Sequence, residues 1–364
     1  MQSVRLFHHF CQHTAYHMSS NPPTTDLWRK RVPDVACSHE FLMHGLLACS
    51  ALHYARTHPA QGQEFTLVST HYQTLALQFF SNRLSDMNED NVEAYFLLAT
   101  FIFVLAIATI SDPLARQNKS AEPKDLAQSF VLLQGVKGIL DAKAAEKLGQ
   151  HDGPLAAMLH GTDDLRRPRP SHVSSFTRRL DRLLGLAREL ESSMFLDIVN
   201  NPQTACILAL ESLRHTYYGC IDANNSASPM AAAGAAATSS LGSGMPGPLE
   251  DPRSPADSAS NRAAYRSMQD AEQGQRYTWL WPLTLTQVFM QLVDSGNYMA
   301  LIIVAHYAAM ARPYEGPSWV TKGWAQSVLA IVENHLHPDK HKWIAWPKRS
   351  ILEEIHVDDM PEET

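Results

Sequence analysis

A histidine and a tyrosine in the stretch GNYMALIIVAHYAAMA carry the first chemical signal. His306 and Tyr298 stand eight residues apart, about two helical turns, so they can share one helix face. Either side chain could protonate a departing hydroxyl group as a general acid, with Tyr307 and Tyr314 in reserve. The plainer role, a histidine capping a buried polar group, is preferred for His306.

A second signal lies near the start. Residues 4–17, VRLFHHFCQHTAYH, read as a helix that puts His9, His13 and His17 at i, i+4 and i+8 on one face. Such spacing can ligate a metal, but no carboxylate nearby in sequence offers a second shell, and a partly buried polar stripe is the preferred reading. HLHPDKH, His335 to His341, groups three more histidines beside a proline, a surface turn rather than a metal site. The chain has no glycine-rich phosphate loop, HExxH, GxSxG elbow or dinucleotide fingerprint, so no cofactor and no metal is expected.

The elements that must position these residues are helical. Ala94 to Ile110, AYFLLATFIFVLAIATI, has no charge, proline or glycine. It is too long for a strand and slightly short and unframed for a membrane span. A central helix, apolar on every side because other helices surround it, fits best. Asn91 and Glu93 suit its start and Ser111-Asp112-Pro113 its end. Further helices are predicted over 39–56, 64–84, 125–140, 173–199, 203–220, 282–293, 296–311 and 318–336, from three-four apolar spacing. No segment alternates with period two, so the fold class is all-α.

The organisation follows from composition. Residues 1–222 form the N-terminal helical part of the core. Residues 223–262, made almost wholly of Ala, Ser, Gly and Pro, should be a disordered loop. Residues 263–364 are too short for a core of their own and should pack back on the first part. Six of the seven tryptophans lie in this last piece.

With 45% hydrophobic and 18% charged residues over 364 positions and a net charge of -7, the chain can bury a sizeable core. It carries no basic run that would grip nucleic acid or an anionic membrane. Five scattered cysteines without a CxxC pair, and a start without a secretion signal, indicate an intracellular protein, cytoplasmic or nuclear.

In order, LFHHF, ACSHEFLMHGLLACSALHYA, the apolar central helix, WLWPLTLTQVFMQL, ALIIVAHYAAMARP, WVTKGWAQSVLAIVENHL and WIAWP resemble the C-terminal effector domain of fungal binuclear-zinc-cluster transcription factors, of the sterol-uptake regulator type. The resemblance runs from about residue 4 to about residue 350, skipping the low-complexity loop. It implies a single all-helical domain with an internal hydrophobic cavity for a sterol-like molecule, and self-association as a homodimer. Those regulators hold DNA through six closely spaced N-terminal cysteines on two zinc ions. The cysteines here do not form that cluster, so no direct contact with nucleic acid is expected.

A cavity between the central helix and the last third would be lined by Phe101, Leu105, Met290, Met299, Ile302, Met310 and Trp324, with His306 and Tyr298 as its polar groups. Apolar walls with a few polar groups suit a terpenoid, polyketide or sterol-like guest; the same side chains filling a core is an equal reading. Loss of the zinc cluster resembles repurposed members of fungal secondary-metabolite pathways. There the pocket would guide a cyclisation such as a hetero-Diels–Alder reaction, with His306 and Tyr298 catalytic. The alternative is a lipid-sensing effector domain acting through a DNA-binding partner.

Overall fold

The computed structural model describes residues 1–18, 22–112, 120–142, 146, 148, 174–189, 201–226, 277–316 and 318–360. Among these there are fourteen α-helices and no strand. In the first half they are α1 (Gln2–Gln12), α2 (Pro22–Asp26), α3 (Val32–Ser38), α4 (Glu40–Thr57), α5 (Gly62–Arg83), α6 (Val92–Ser111) and α7 (Pro123–Leu140). Then come α8 (Ser175–Arg188), α9 (Pro202–Ser226), α10 (Trp281–Thr284), α11 (Gln287–Asp294), α12 (Tyr298–Ala311), α13 (Trp324–His335) and α14 (Ala345–Leu352).

The uncharged run at the middle of the chain is α6. By length and composition it could cross a membrane, but fifteen of its residues are buried inside the protein, the disposition of a core helix. It packs on α4, α7 and α13. The approach of α4 is close because Gly45 faces it: a Cβ added there would lie 2.7 Å from Leu98 Cδ1.

Two cores share this helix. Phe101, Leu105 and the first half of α6 join α1, α3 and α4 around Leu6, Phe10, Trp28 and Leu46. Ile107 and Ile110, near its C-terminal end, join α7 to α14 around Trp281, Phe289, Val304 and Trp346. Phe103 and Val320 are half-buried against both. The last third docks on the earlier helices by specific bonds as well as by apolar contact: Gln134 Nε2 donates to the carbonyls of Pro282 at 2.9 Å and Leu285 at 2.8 Å.

Boundaries differ from the sequence reading where local chemistry intervenes. The first helix ends at Gln12, and Thr14–His17 is a separate 3₁₀ turn. The stretch 282–293 is two helices, because Leu285 is extended and the Thr286 hydroxyl caps a fresh start by accepting from Phe289 N. The helix expected from 318 begins at Trp324, after Gly323 in a left-handed conformation at φ 87°. The ninth helix runs to Ser226, four residues into the predicted loop; 227–262 lies outside the described residues.

The helix bearing His306 is set in place by its N-terminus. Gly296, at φ 72°, ends α11, and the Asn297 side chain then caps α12 by accepting from Met299 N at 3.0 Å and Ala300 N at 3.3 Å. The chain bends by 99° between the two helices. That bend drives α12 into the C-terminal core, where every residue from Met299 to Ala311 is buried.

Candidate functional site

The core around α12 gathers most of the residues singled out by sequence. Met299, Ile302, Met310 and Trp324 are buried there together with Met290 from α11. The Trp324 ring lies 5.3 Å from Trp279 and 5.5 Å from Tyr307, edge to face in both cases. Tyr307 itself donates from its hydroxyl to the Thr278 carbonyl at 3.1 Å, and burial pushes its phenol well above the ordinary range. The indole N–H of Trp324 is buried and without a hydrogen-bond partner.

His306 is fully buried. Its Nδ1 lies 2.8 Å from the Ile302 carbonyl one turn back, so this nitrogen carries the proton and donates. Burial brings its pKa down to about 3, with the nearby Arg179 charge acting in the same direction. The ring is therefore neutral, and Nε2 presents a lone pair that meets no partner. An acceptor of this kind suits a donor group on a guest or a trapped water. It does not suit the proton-donating role considered from sequence, since the one N–H is engaged by backbone.

Tyr298 opens the same helix but sits half-buried at the edge of the core, with Lys340 Nζ 4.8 Å from its ring centroid. Eight residues at 3.6 per turn leave it about 80° around the helix from His306, and it points to a different neighbourhood. Tyr314 is half-buried beyond the end of α12.

Phe101 and Leu105 are placed elsewhere. Both belong to the N-terminal core; the Phe101 ring lies 5.8 Å from Phe10 and 5.6 Å from Trp28. The helix that packs on both α6 and α12 is α13, so these two side chains and the α12 set face different cores.

Sequence reasoning missed two polar features. Glu315 is a buried carboxylate that accepts from Gly323 N at 2.9 Å, Ala325 N at 2.6 Å and Arg312 Nη1 at 3.0 Å. It satisfies free N–H groups at the start of α13 from outside the helix. His53 of α4 is the other. Its Nδ1 lies 3.2 Å from His9 Nε2 and 3.0 Å from Thr14 Oγ1. Neither could be read from spacing, because each partner lies at least 39 residues from His53.

Several of the histidines considered for metal binding make other bonds. His13 follows the end of α1, and His17 Nδ1 lies 2.9 Å from the His13 carbonyl. In the second group, His335 Nδ1 and His341 Nε2 lie 2.9 Å from the carbonyls of Ile331 and Leu336. Among the described residues no group of three or more His, Cys, Asp or Glu side chains is disposed to hold a metal ion.

With this geometry in place, comparison with known proteins gives a consistent result. Residues 5–117, from α1 to just beyond α6, match the family model described as Fungal specific transcription factor domain. The chain is similar to Sterol uptake control protein 2 of Saccharomyces cerevisiae, 29% identical over 144 residues, which is 38% of this chain and 15% of that protein. It is 32% identical over 114 residues to Sterol uptake control protein 2 of Candida albicans, covering 31% of this chain and 15% of that one. A Zn(2)-C6 fungal-type transcription factor of Gibberella zeae is 29% identical over 152 residues, 38% of this chain and 30% of the relative. The chain thus aligns with less than a third of the length of each. The resemblance to sterol-uptake regulators read from the sequence is the similarity these matches show.

Proposed function

We propose that this chain is the effector region of a fungal transcription regulator, one that responds to a bulky apolar small molecule and works with a DNA-binding module. The match of residues 5–117 to the transcription factor domain carries the reading, and the relatives named for control of sterol uptake set its chemical direction. A sterol-like or terpenoid guest would sit in the C-terminal core around α12, where methionine and aromatic side chains can repack. The lone pair of His306 would meet the guest's hydroxyl group. Such a regulator acts in the nucleus, and self-association is part of the same reading.

Cyclisation of a polyketide–terpene substrate, the other reading of the sequence, has weaker support. The relatives are regulators, and His306 is a neutral acceptor rather than an acid.

The test joins the whole chain to a heterologous DNA-binding domain in a fungal reporter strain. Reporter output should change several-fold when sterol synthesis is blocked and return when sterol is supplied. Output that ignores sterol supply, with the fusion expressed and folded, overturns the proposal. Recovery of a new cyclised product from incubation with the purified chain would do so in favour of the enzyme.

A further inference from the structure

Five imidazoles converge where α1 lies on α4. His9 comes from α1, His13 from just after its end, His17 from the following turn, His53 from α4, and His58 from just beyond it. Ring centroids are 5.0 Å apart for His9 and His13, 5.2 Å for His9 and His53, 5.2 Å for His17 and His53, and 6.4 Å for His9 and His58. The His58 ring stacks on Tyr54 at 3.9 Å. The cluster is closed from the other half of the chain by Trp319, whose ring is 5.0 Å from that of His53.

The bonding pattern is satisfied with both rings uncharged. His53 Nδ1 has two neighbours, the Thr14 hydroxyl at 3.0 Å and His9 Nε2 at 3.2 Å. With the ring's own proton on Nε2, this nitrogen accepts through its lone pair from the Thr14 hydroxyl and from a His9 protonated on Nε2. The charged groups around the cluster are overwhelmingly basic. Arg5 and His8 of α1 approach His9, and Arg56 of α4 approaches His53. Arg5 also bonds Tyr54 Oη and lies 4.7 Å from that ring. The carboxylate of Asp112, at the end of α6, is taken by Arg56 at 3.1 Å. A proton added to His9 or His53 therefore meets like charge.

We propose that this imidazole cluster is an acid-sensitive clasp: neutral, it holds α1 and the turn after it on α4 and against Trp319; protonated, it lets them go. Burial and the surrounding bases bring His9 down to about 4 and His53 to about 3, well below the ordinary 6.5 of a solvated histidine. A released segment binds protons that the seated one refuses, so acid favours release. At neutral pH the seat is firm. Leu6 and Phe10 are buried, and Ser50 Oγ donates to the Leu6 carbonyl at 2.6 Å. The clasp joins the first element of the family-matched stretch to Trp319 on the segment leading into α13, and α13 touches both cores.

Amide hydrogen exchange of the full chain tests this, read by mass spectrometry between pH 7.5 and 4.5 with intrinsic rates corrected and EDTA present. Protection over residues 2–17 should fall at least tenfold more than protection over α12 as pH drops below about 6. The double variant His9→Gln, His53→Gln should keep that protection to lower pH. Flat protection over 2–17, or the same fall in the double variant, overturns the proposal. Should the double variant misfold, imidazole C2–H titration in the unaltered protein decides it. Two of the 18 histidines titrating below 5 besides buried His306, together with loss of α1 protection, supports the clasp. Ordinary titration near 6.5 with α1 still seated refutes it.

Discussion

His306 lies flat on Trp346, with ring centroids 5.7 Å apart and planes within 7° of parallel. The stack holds an imidazole inside the core with one nitrogen bonded to backbone and the other without a protein partner. An apolar fold has no need of that lone pair, and a buried acceptor left unpaired costs about 1–3 kcal/mol. A site that holds a donor-bearing guest or a water would have use for it.

His306→Phe separates these roles. The phenyl ring keeps the stack and removes the unpaired nitrogen, so without ligand the variant should be within about 1 kcal/mol of the original stability, or above it. Under the proposed function its reporter response to sterol supply should weaken by roughly tenfold in effective sterol concentration, the worth of one hydrogen bond. Chemical unfolding and reporter titration read the two effects. A full response in His306→Phe would remove this residue from the site.

The same histidine sets a pH dependence of stability. Its folded value of about 3 lies below the 6.5 expected in the unfolded chain. The folded state then binds fewer protons, so the stabilisation is whole above about 6.5 and is lost as pH falls toward 3. By pH 5 the loss from this one group is about 2 kcal/mol. Urea midpoints measured from pH 7.5 to 5 should fall, and His306→Phe should flatten the slope. Equal slopes in the two proteins would contradict a neutral buried ring.

Gly45 offers a test of how closely α4 and α6 approach. A Cβ there would meet Leu98 Cδ1 at 2.7 Å and Phe101 Cδ2 at 3.5 Å. The nearest atom is the tip of a flexible side chain, so Gly45→Ala should cost no more than about 1 kcal/mol, partly offset by better helix propensity. Gly45→Leu must displace the helix itself and should cost about 1–3 kcal/mol or more. Urea unfolding of the pair gives the answer; similar midpoints for Ala and Leu would mean the two helices move apart freely.

The all-helical class and the two buried helices are readable because α12 and the stretch Ala94 to Ile110 of α6 carry no charge, as suits a helix wrapped by others. The same property hid the site's layout. A helix apolar on every side has no polar face to show which way a given residue looks, so the sequence cannot tell that Phe101 faces Phe10 and Trp28 rather than α12. Nothing in the spacing of the predicted helix 39–56 marks His53, because its partners, His9 and Thr14, belong to a different helix and turn. His17 was placed on the wrong element because nothing in VRLFHHFCQHTAYH marks a stop at Gln12. Caps were more legible: Asn91 before α6 stands at the helix start expected of it.

Glu315 gives the remaining prediction. Its carboxylate closes the start of α13 by accepting from Gly323 N and Ala325 N, and it holds Arg312, which also pairs with Glu354. The helix it closes packs on both α6 and α12, so loosening it should be felt in both cores. Glu315→Ala leaves the Gly323 and Ala325 N–H groups without their acceptor and Arg312 with Glu354 alone, and should cost about 2–3 kcal/mol. Glu315→Gln keeps one carbonyl oxygen and should lose less than half of that. Thermal unfolding of the three proteins, with exchange protection read over α13, measures the effect. If Glu315→Ala leaves α13 as protected as before, water has taken over the bonds and the carboxylate is not what holds that helix start in place.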